Sequence, residues 1–139
     1  MIHNISYRVF VHGTEKESKV LEALKNIFPN AKPERELSQG HHKNEIIILH
    51  QKLVKKDEIN PFLRKIKSLE SASREDILNN LDKKMDYKGN LFIRLSKQSA
   101  FLGKWKMMEH GDSIHIRLKF AAYPAKKEVA LKIAQEWLD

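Results

Sequence analysis

Strict alternation of apolar and polar residues is the feature that most constrains how this chain can fold. The clearest example is "SIHIRLKF", where Ile114, Ile116, Leu118 and Phe120 alternate with polar residues. A period of two predicts a strand with one face buried and the other less buried. "ISYRVFVH" and "LFIRLS" show the same alternation. The run from Ile46 to Val54 also predicts a strand, antiparallel to a short extended piece near residues 31–37.

Other segments place their apolar residues at the helical period of 3.6. Capping boxes of the form Ser/Thr-x-x-Asp/Glu precede two of them, and glycine or proline follows others. The predicted helices are one opened by Thr14 and Glu17 and ending near Phe28, one from about Asp57 to Ser68 with Pro61 in its first turn, one capped by Ser73 and Asp76, a short one within "KQSAFLG", and a closing one in "AKKEVALKIAQEWL".

These elements follow the order β-α-β-β-α-α-β-(short α)-β-α. Such a series predicts the α+β class, with a mostly antiparallel or mixed sheet and helices packed on one face. At 139 residues the chain fits one domain over residues 1–139, long enough to bury a core. Repeats and linkers are absent from the sequence.

Composition excludes several classes of protein. Hydrophobic residues make up 41% and charged residues 32%, as in ordinary globular proteins. No apolar run is long enough to cross a bilayer, and the first ten residues lack the pattern of a secretory signal. With no cysteine, the chain has neither disulfides nor thiolate metal sites. We therefore expect a cytoplasmic protein without a membrane partner.

The net charge points to a polyanionic partner. Lys and Arg number 26 against 18 Asp and Glu, giving +8 and a pI near 9.6. Such an excess favours nucleic acid or an anionic membrane surface, although a lysine-rich protein without such a partner has the same composition. The surplus lies mainly in residues 51–69 and 91–139.

Alternation sends a basic set of residues to the less buried face of the predicted sheet. It contains five Lys or Arg, three histidines, two phenylalanines and no carboxylate. Any half-exposed sheet shows polar residues to water, but uniform positive charge with exposed aromatics favours nucleic acid. The members are Arg8, Phe10, His12, His50, Lys52, Phe92, Arg94, His115, Arg117 and Lys119.

The loop "SQGHHKN" raises the question of a metal or catalytic site. His41 and His42 are adjacent, so their side chains diverge, and no further ligand follows at a regular spacing. A nucleophile elbow is absent, and a two-metal nuclease would need clustered acids. The sequence thus predicts neither metal nor cofactor. Gly40, His41 and His42 are either turn residues or an RNA contact beside phosphate and ribose.

Four motifs carry a resemblance to a known family. "YRVFVHGTEKESKVLEALKNIFP", "GHHKNEI", "GNLFIRLSKQSAFLG" and "KFAAYPAKKEVAL" resemble an archaeal family of small RNA-binding proteins called predicted exosome subunits. The fold of that family is similar to the large-subunit ribosomal protein that binds 5S ribosomal RNA. Its features fall on Gly40, His41, His42, Asn44, Arg94, Lys97, Gln98, Phe101, Gly103, Ala122, Tyr123, Pro124 and Lys126. The chain departs from the pattern at Ser96 and Lys43, and both departures make it more basic.

The residues and the resemblance together predict a non-catalytic RNA-binding protein. Its partner would be structured or ribosomal RNA, in a ribonucleoprotein complex linked to the exosome or ribosome. The alternatives are an interaction module or homodimer that uses the open sheet face and, third, a nuclease. The predicted RNA-binding residues are Arg8, Phe10, His12, Gly40, His41, His42, Asn44, His50, Lys52, Phe92, Arg94, Lys97, Gln98, His115, Arg117, Lys119, Tyr123 and Lys126.

Overall fold

The computed structural model describes residues 1–39 and 45–139. It confirms the α+β class and the predicted order of elements, with one short helix added. The elements are β1 (Ile2–Val11), α1 (Glu17–Ile27), β2 (Glu34–Gln39), β3 (Glu45–Leu53), α2 (Lys56–Lys67), α3 (Ser71–Asn79), α4 (Leu81–Lys84), β4 (Asn90–Leu95), α5 (Lys97–Phe101), β5 (Ile114–Phe120) and α6 (Lys127–Leu138).

The five strands form one antiparallel sheet in the order β2-β3-β1-β5-β4. The predicted antiparallel pairing of β2 with β3 is confirmed, in a register that runs from Glu34 opposite His50 to Gln39 opposite Glu45. Every residue of β2 is exposed, as expected for an outermost strand. The segment 104–110, which sequence alone left unassigned, contributes Met107 to an antiparallel bridge with Leu95.

Burial follows the predicted alternation. In β5 the four apolar residues are at most 1% exposed, whereas His115, Arg117 and Lys119 are partly exposed. In β1 the same period buries Ile5, Tyr7, Val9 and Val11. β-branched and large apolar side chains fit the buried face of a pleated strand, which is why these segments form strands.

The described residues divide into two compact units. The first unit comprises residues 1–5, 53–93 and 117–139, and the second comprises residues 6–52 and 94–116. In the first unit Phe120 meets Trp137 edge to face with ring centroids 6.3 Å apart. There Gly89 has φ +84°, and a Cβ at this position would lie 2.9 Å from the Cβ of Ala130. Glycine is therefore required at that turn.

The second unit is built around α1 and β1. Tyr7 stacks on Phe28 with centroids 4.7 Å apart, and its hydroxyl donates to Gln51 Oε1 at 2.6 Å. α1 also packs against α5, where Asn26 Nδ2 donates to the Ala100 carbonyl at 2.8 Å. The buried hydroxyl of Tyr7 and the Ala100 carbonyl near the end of α5 therefore each have a hydrogen-bond partner, as buried polar groups require.

Several helix boundaries differ from the prediction. The Thr14–Glu17 capping box is wrong, because α1 begins at Glu17 after Lys16 and has no side-chain cap. The predicted third helix breaks at Asn80, whose Nδ2 donates to the Asp76 carbonyl at 2.7 Å. Pro61 lies one turn further into α2 than predicted. Over the described ranges, none of the helices has the length and apolar character needed to span a membrane.

Candidate nucleic-acid interface

The second unit carries a cluster of three basic side chains on β1, β4 and β5. We call Arg8, Arg94 and His115 the basic cluster. Burial lowers the pKa of His115 below its ordinary 6.5, and the positive charges of Arg94 and Arg8 lower it further. Such charge repulsion acts only over short distances in a protein, so the three groups share one neighbourhood. Across residues 1–39 and 45–139, neither guanidinium forms an ion pair with a carboxylate.

Phe10 borders the basic cluster. It is partly exposed, and the Arg8 guanidinium carbon lies 5.4 Å from its ring centroid. A cation over an aromatic face gives a modest attraction, and it orients both groups on the same side of β1. The arrangement combines a fixed positive charge with a flat apolar surface.

Lys97 follows β4 in sequence but lies in a different environment. Its side chain is only 10% exposed. The ammonium donates to the Phe10 carbonyl at 2.8 Å and to Glu15 Oε1 at 2.9 Å, and it lies 2.6 Å from Asp112 Oδ2. All three ammonium hydrogens therefore have an acceptor, which satisfies the donor capacity of lysine. The family resemblance brought Lys97 into the predicted site, yet its charge is balanced within the protein.

His12, Glu15 and Asp112 form a group that could in principle hold a cation. Their ligand atoms lie within 4.8 Å of one another. The Lys97 ammonium already contacts both carboxylates and supplies the positive charge that a metal would bring. We therefore read the group as a salt-bridge network that ties the turn after β1 to the segment before β5.

The predicted absence of carboxylates from the basic face is wrong at His50. His50 Nε2 lies 2.9 Å from Glu36 Oε1 and 4.0 Å from Glu34 Oε2. Both acids stand on β2, where the register places Glu34 directly opposite His50. Residues of paired strands that stand opposite each other project to the same face, so β2 adds negative charge beside β3.

In the first unit Phe92, Arg117 and Lys119 project from β4 and β5. Phe92 is 45% exposed, which is high for a phenylalanine. Arg117 and Lys119 are partly exposed, and the Lys119 ammonium donates to the Lys88 carbonyl at 2.6 Å. Lys119 thus has one internal acceptor, with donor capacity left over.

The remaining predicted site residues are exposed or lie outside the described part of the chain. Lys52, Gln98 and Lys126 are exposed, and Tyr123 is 98% exposed. Gln98 borders a cavity of about 780 Å³ in the second unit, between the start of α1 and α5. Gly40, His41, His42 and Asn44 fall outside the described residues.

Sequence reasoning missed the acids that neutralise predicted cations. Glu15 was assigned to a helix start, but its carboxylate accepts from the His12 amide at 3.0 Å and from Lys97. Asp112 gave no sequence signal, because it lies 15 positions from Lys97 in an irregular segment. Glu36 could have been found, since alternation in β2 and the predicted pairing with β3 place Glu34 and Glu36 on one face.

Comparison with known proteins gives a consistent set of similarities. Residues 4–120 match the model of a family described as RNA binding. An RNA-binding protein of Pyrococcus abyssi is 35% identical, over 99% of this chain and 94% of that protein. A DUF54 protein of Methanothermobacter thermautotrophicus is 43% identical with a TM-score of 0.88, covering 100% of this chain and 99% of its own. A DUF54 protein of Archaeoglobus fulgidus is 32% identical with a TM-score of 0.87, covering 99% of each chain.

Proposed function

We propose that this chain, which belongs to the RNA-binding family matched by residues 4–120, binds RNA through the basic cluster of its second unit. The observation that carries the proposal is the pair Arg8 and Arg94, whose guanidinium charges are balanced by no carboxylate within the described residues and repel the protonated form of His115. The site therefore has an excess of positive charge near water, and a phosphate group could neutralise it.

Each group has a distinct role in the proposed site. Guanidinium groups donate hydrogen bonds in pairs to phosphate oxygens and stay charged at any physiological pH. His115 is mostly neutral near pH 7, and a bound phosphate would raise its pKa, so RNA binding should take up a proton. The partly exposed ring of Phe10 can pack on ribose or stack on an unpaired base.

The proposed role is non-catalytic. In the described part of the chain, His12, Glu15 and Asp112 are the group with the ligand types for metal chemistry, and Lys97 contacts two of them. A partner of structured or ribosomal RNA, and membership of an exosome or ribosomal complex, stay predictions. Further contacts are proposed for His12, His50, Lys52, Phe92, Arg117, Lys119 and the segment with Gly40, His41, His42 and Asn44.

Salt-dependent RNA binding tests the proposal. Wild type and an Arg8→Gln/Arg94→Gln variant would be titrated with a fluorescent RNA of about 20 nucleotides at several salt concentrations. Each phosphate contact contributes roughly 0.7 to 0.9 to the slope of log K against log salt. The double variant should bind more weakly, and its slope should be shallower by up to about two contacts.

A matched variant controls for net charge. Lys25→Gln/Arg64→Gln also removes two positive charges, from exposed positions on α1 and α2. It should leave the slope close to that of wild type. Equal affinities and slopes for both double variants would contradict the proposal. Analytical sedimentation tests the alternative of self-association. If wild type forms a stable dimer and the Arg8→Gln/Arg94→Gln variant is monomeric, the face serves self-association instead of RNA binding.

A further inference from the structure

Tyr87 combines a fixed backbone with a side chain that is 89% exposed. It stands in the turn between α4 and β4, within the first unit. The turn is closed by the Asp86 amide donating to the Asn90 carbonyl at 3.0 Å and the Gly89 amide donating to the Asp86 carbonyl at 3.2 Å. The Tyr87 carbonyl itself accepts from the Lys127 amide at 3.1 Å. The main chain at Tyr87 is thus held from both sides.

The side chain of Asp86 reinforces the same turn. Its Oδ1 accepts from the amides of Lys88 at 3.0 Å and Asn90 at 2.9 Å, and its Oδ2 accepts from Asn90 Nδ2 at 2.9 Å. Burial opposes ionisation of this carboxyl, but these hydrogen bonds and the positive charge of Lys119 together outweigh it and lower the pKa of Asp86. The carboxylate is therefore engaged inside the turn and contributes little free negative charge to its surface.

A second exposed tyrosine stands in the segment that leads into α6. Tyr123 is 98% exposed and precedes the first residue of α6 by four positions. Among the described residues, these two tyrosines are the most exposed large apolar side chains. An exposed ring on a mobile tail would not indicate a binding site. The backbone of Tyr87, by contrast, is held by the hydrogen bonds of its turn. Pre-organised aromatic rings lose little entropy when they bind a flat partner.

The surroundings of Tyr87 are mostly charged, and Leu131 is the apolar side chain that borders the same cavity. Tyr87, Lys126 and Lys127 border a shallow cavity of about 410 Å³, and Lys127 is paired with Asp82 at 3.3 Å. Lys126 and Lys88 are exposed. Glu128 also borders the cavity, so the local excess of positive charge is small. A protein interface would favour an apolar centre around the ring, whereas isolated rings among lysines are typical of stacking on nucleic-acid bases.

We infer that Tyr87 and Tyr123 stack on unpaired bases of single-stranded RNA, forming a contact in the first unit in addition to the basic cluster. The inference rests on the proposed RNA-binding function and specifies the form of RNA at this contact. Because base pairs in a duplex hide their faces, such a site would select single strands. Because its attraction comes from stacking, it should contribute little to the salt dependence of binding.

Binding of a single-stranded oligouridine and of an RNA duplex of equal length tests this inference. Tyr87→Ala and Tyr123→Ala should each weaken binding of the single strand about ten-fold. Duplex binding and the salt slope should not change. Tyr87→Phe keeps the ring and should retain affinity within about two-fold. Leu102→Ala, which removes an apolar side chain that is 65% exposed in the second unit, is the matched control.

The outcomes separate this inference from the proposed function. Wild type that binds neither RNA would overturn both. Wild type that binds, with alanine variants that bind the single strand equally well, would overturn the stacking contact and leave the basic cluster standing. Equal losses for the single strand and the duplex would also overturn it, since stacking on unpaired bases requires a difference. Thermal unfolding of each variant checks folding, and both side chains are too exposed to alter it much.

Discussion

Two cationic sites in the second unit differ sharply although Arg94 and Lys97 are three residues apart. Arg94 belongs to the basic cluster, where Arg8 carries a charge of the same sign and the protonated form of His115 would add another. Lys97 is nearly buried, and two carboxylates and a carbonyl surround its ammonium. The basic cluster thus has an excess of positive charge, whereas the charge of Lys97 is balanced by Glu15 and Asp112.

The difference shows why a count of lysines and arginines does not locate a binding surface. A cation that is removed from water must be paired, and its charge is then neutralised within the protein and is not available for binding. An unpaired cation must stay near water, where it can accept an anion. The excess of +8 includes both kinds. Only the contacts of each side chain distinguish them.

The largest expected effect comes from removing the paired cation. Lys97→Ala would leave Glu15 and Asp112 facing each other without the ammonium, and the Phe10 carbonyl without its donor. We expect the free energy of unfolding to fall by about 2 kcal/mol, less than for a fully buried pair because both acids are partly exposed. Urea denaturation measures this change.

Lys104→Ala is the control for that experiment, because Lys104 is exposed in the same unit. It should alter stability by less than about 0.5 kcal/mol. If Lys97→Ala were equally harmless while RNA affinity collapsed, Lys97 would be a binding residue, and the contrast between the two sites would be lost.

A second prediction concerns the unbalanced site. Burial and the charges of Arg94 and Arg8 hold the pKa of His115 below 6.5, so Arg94→Gln should raise that pKa. In wild type the unfolded chain takes up a proton at this residue at higher pH than the folded chain. Its contribution to stability is therefore present above about pH 6.5 and is lost as the pH falls through the folded pKa. Nuclear magnetic resonance titration of the His115 ring measures the shift. An unchanged pKa in Arg94→Gln would show that Arg94 does not repel the protonated imidazole.

Asp112 links the two sites and gives a smaller effect. Its charge raises the pKa of His115 slightly, against the larger lowering by burial and by the arginines. Asp112→Asn should therefore lower the His115 pKa further, while Glu15 still pairs with Lys97. The same titration detects the change. A rise in the His115 pKa would mean that the two sites are not coupled through Asp112.

The smallest expected effect belongs to His41 and His42, which the sequence places in a loop. Histidine is the side chain that most often gains charge between pH 7.5 and 5.5. If they contact phosphate, RNA binding should tighten over that range, and a His41→Ala/His42→Ala variant should lose part of the gain. Because His115 also titrates, the informative quantity is the difference between the two pH profiles. Superimposable profiles would mean that His41 and His42 do not contact the RNA and that the pH response comes from the basic cluster.

The sheet could be predicted because alternation is a local signal. The strands β1, β4 and β5 each carry a period of two, and the buried set in β5 is the predicted set. Helix starts were less predictable. The helix α1 begins at Glu17, and Glu15 before it contacts Lys97, which is 82 residues away in the sequence. A long-range ion pair leaves no mark in a short window of sequence.

The candidate interface was predictable in part for the same reason. Alternation correctly put Arg8 and Phe10 on the side of β1 that is less buried. It could not show that Glu36 approaches His50, because that depends on the register between two strands. Tyr87 was missed altogether, since a tyrosine in a turn is unremarkable until its exposure is known.

The outermost position of β2 has a consequence for how two molecules could meet. Among the described strands β2 pairs with β3 alone, and its other edge could take an added strand from a second copy. If two copies paired antiparallel about Arg35, each Glu34 would stand opposite a Glu36, and the two arginines would face each other. Like charges placed directly opposite in a sheet are destabilising. The sequence of this strand therefore disfavours a dimer in which two copies pair edge to edge in this register.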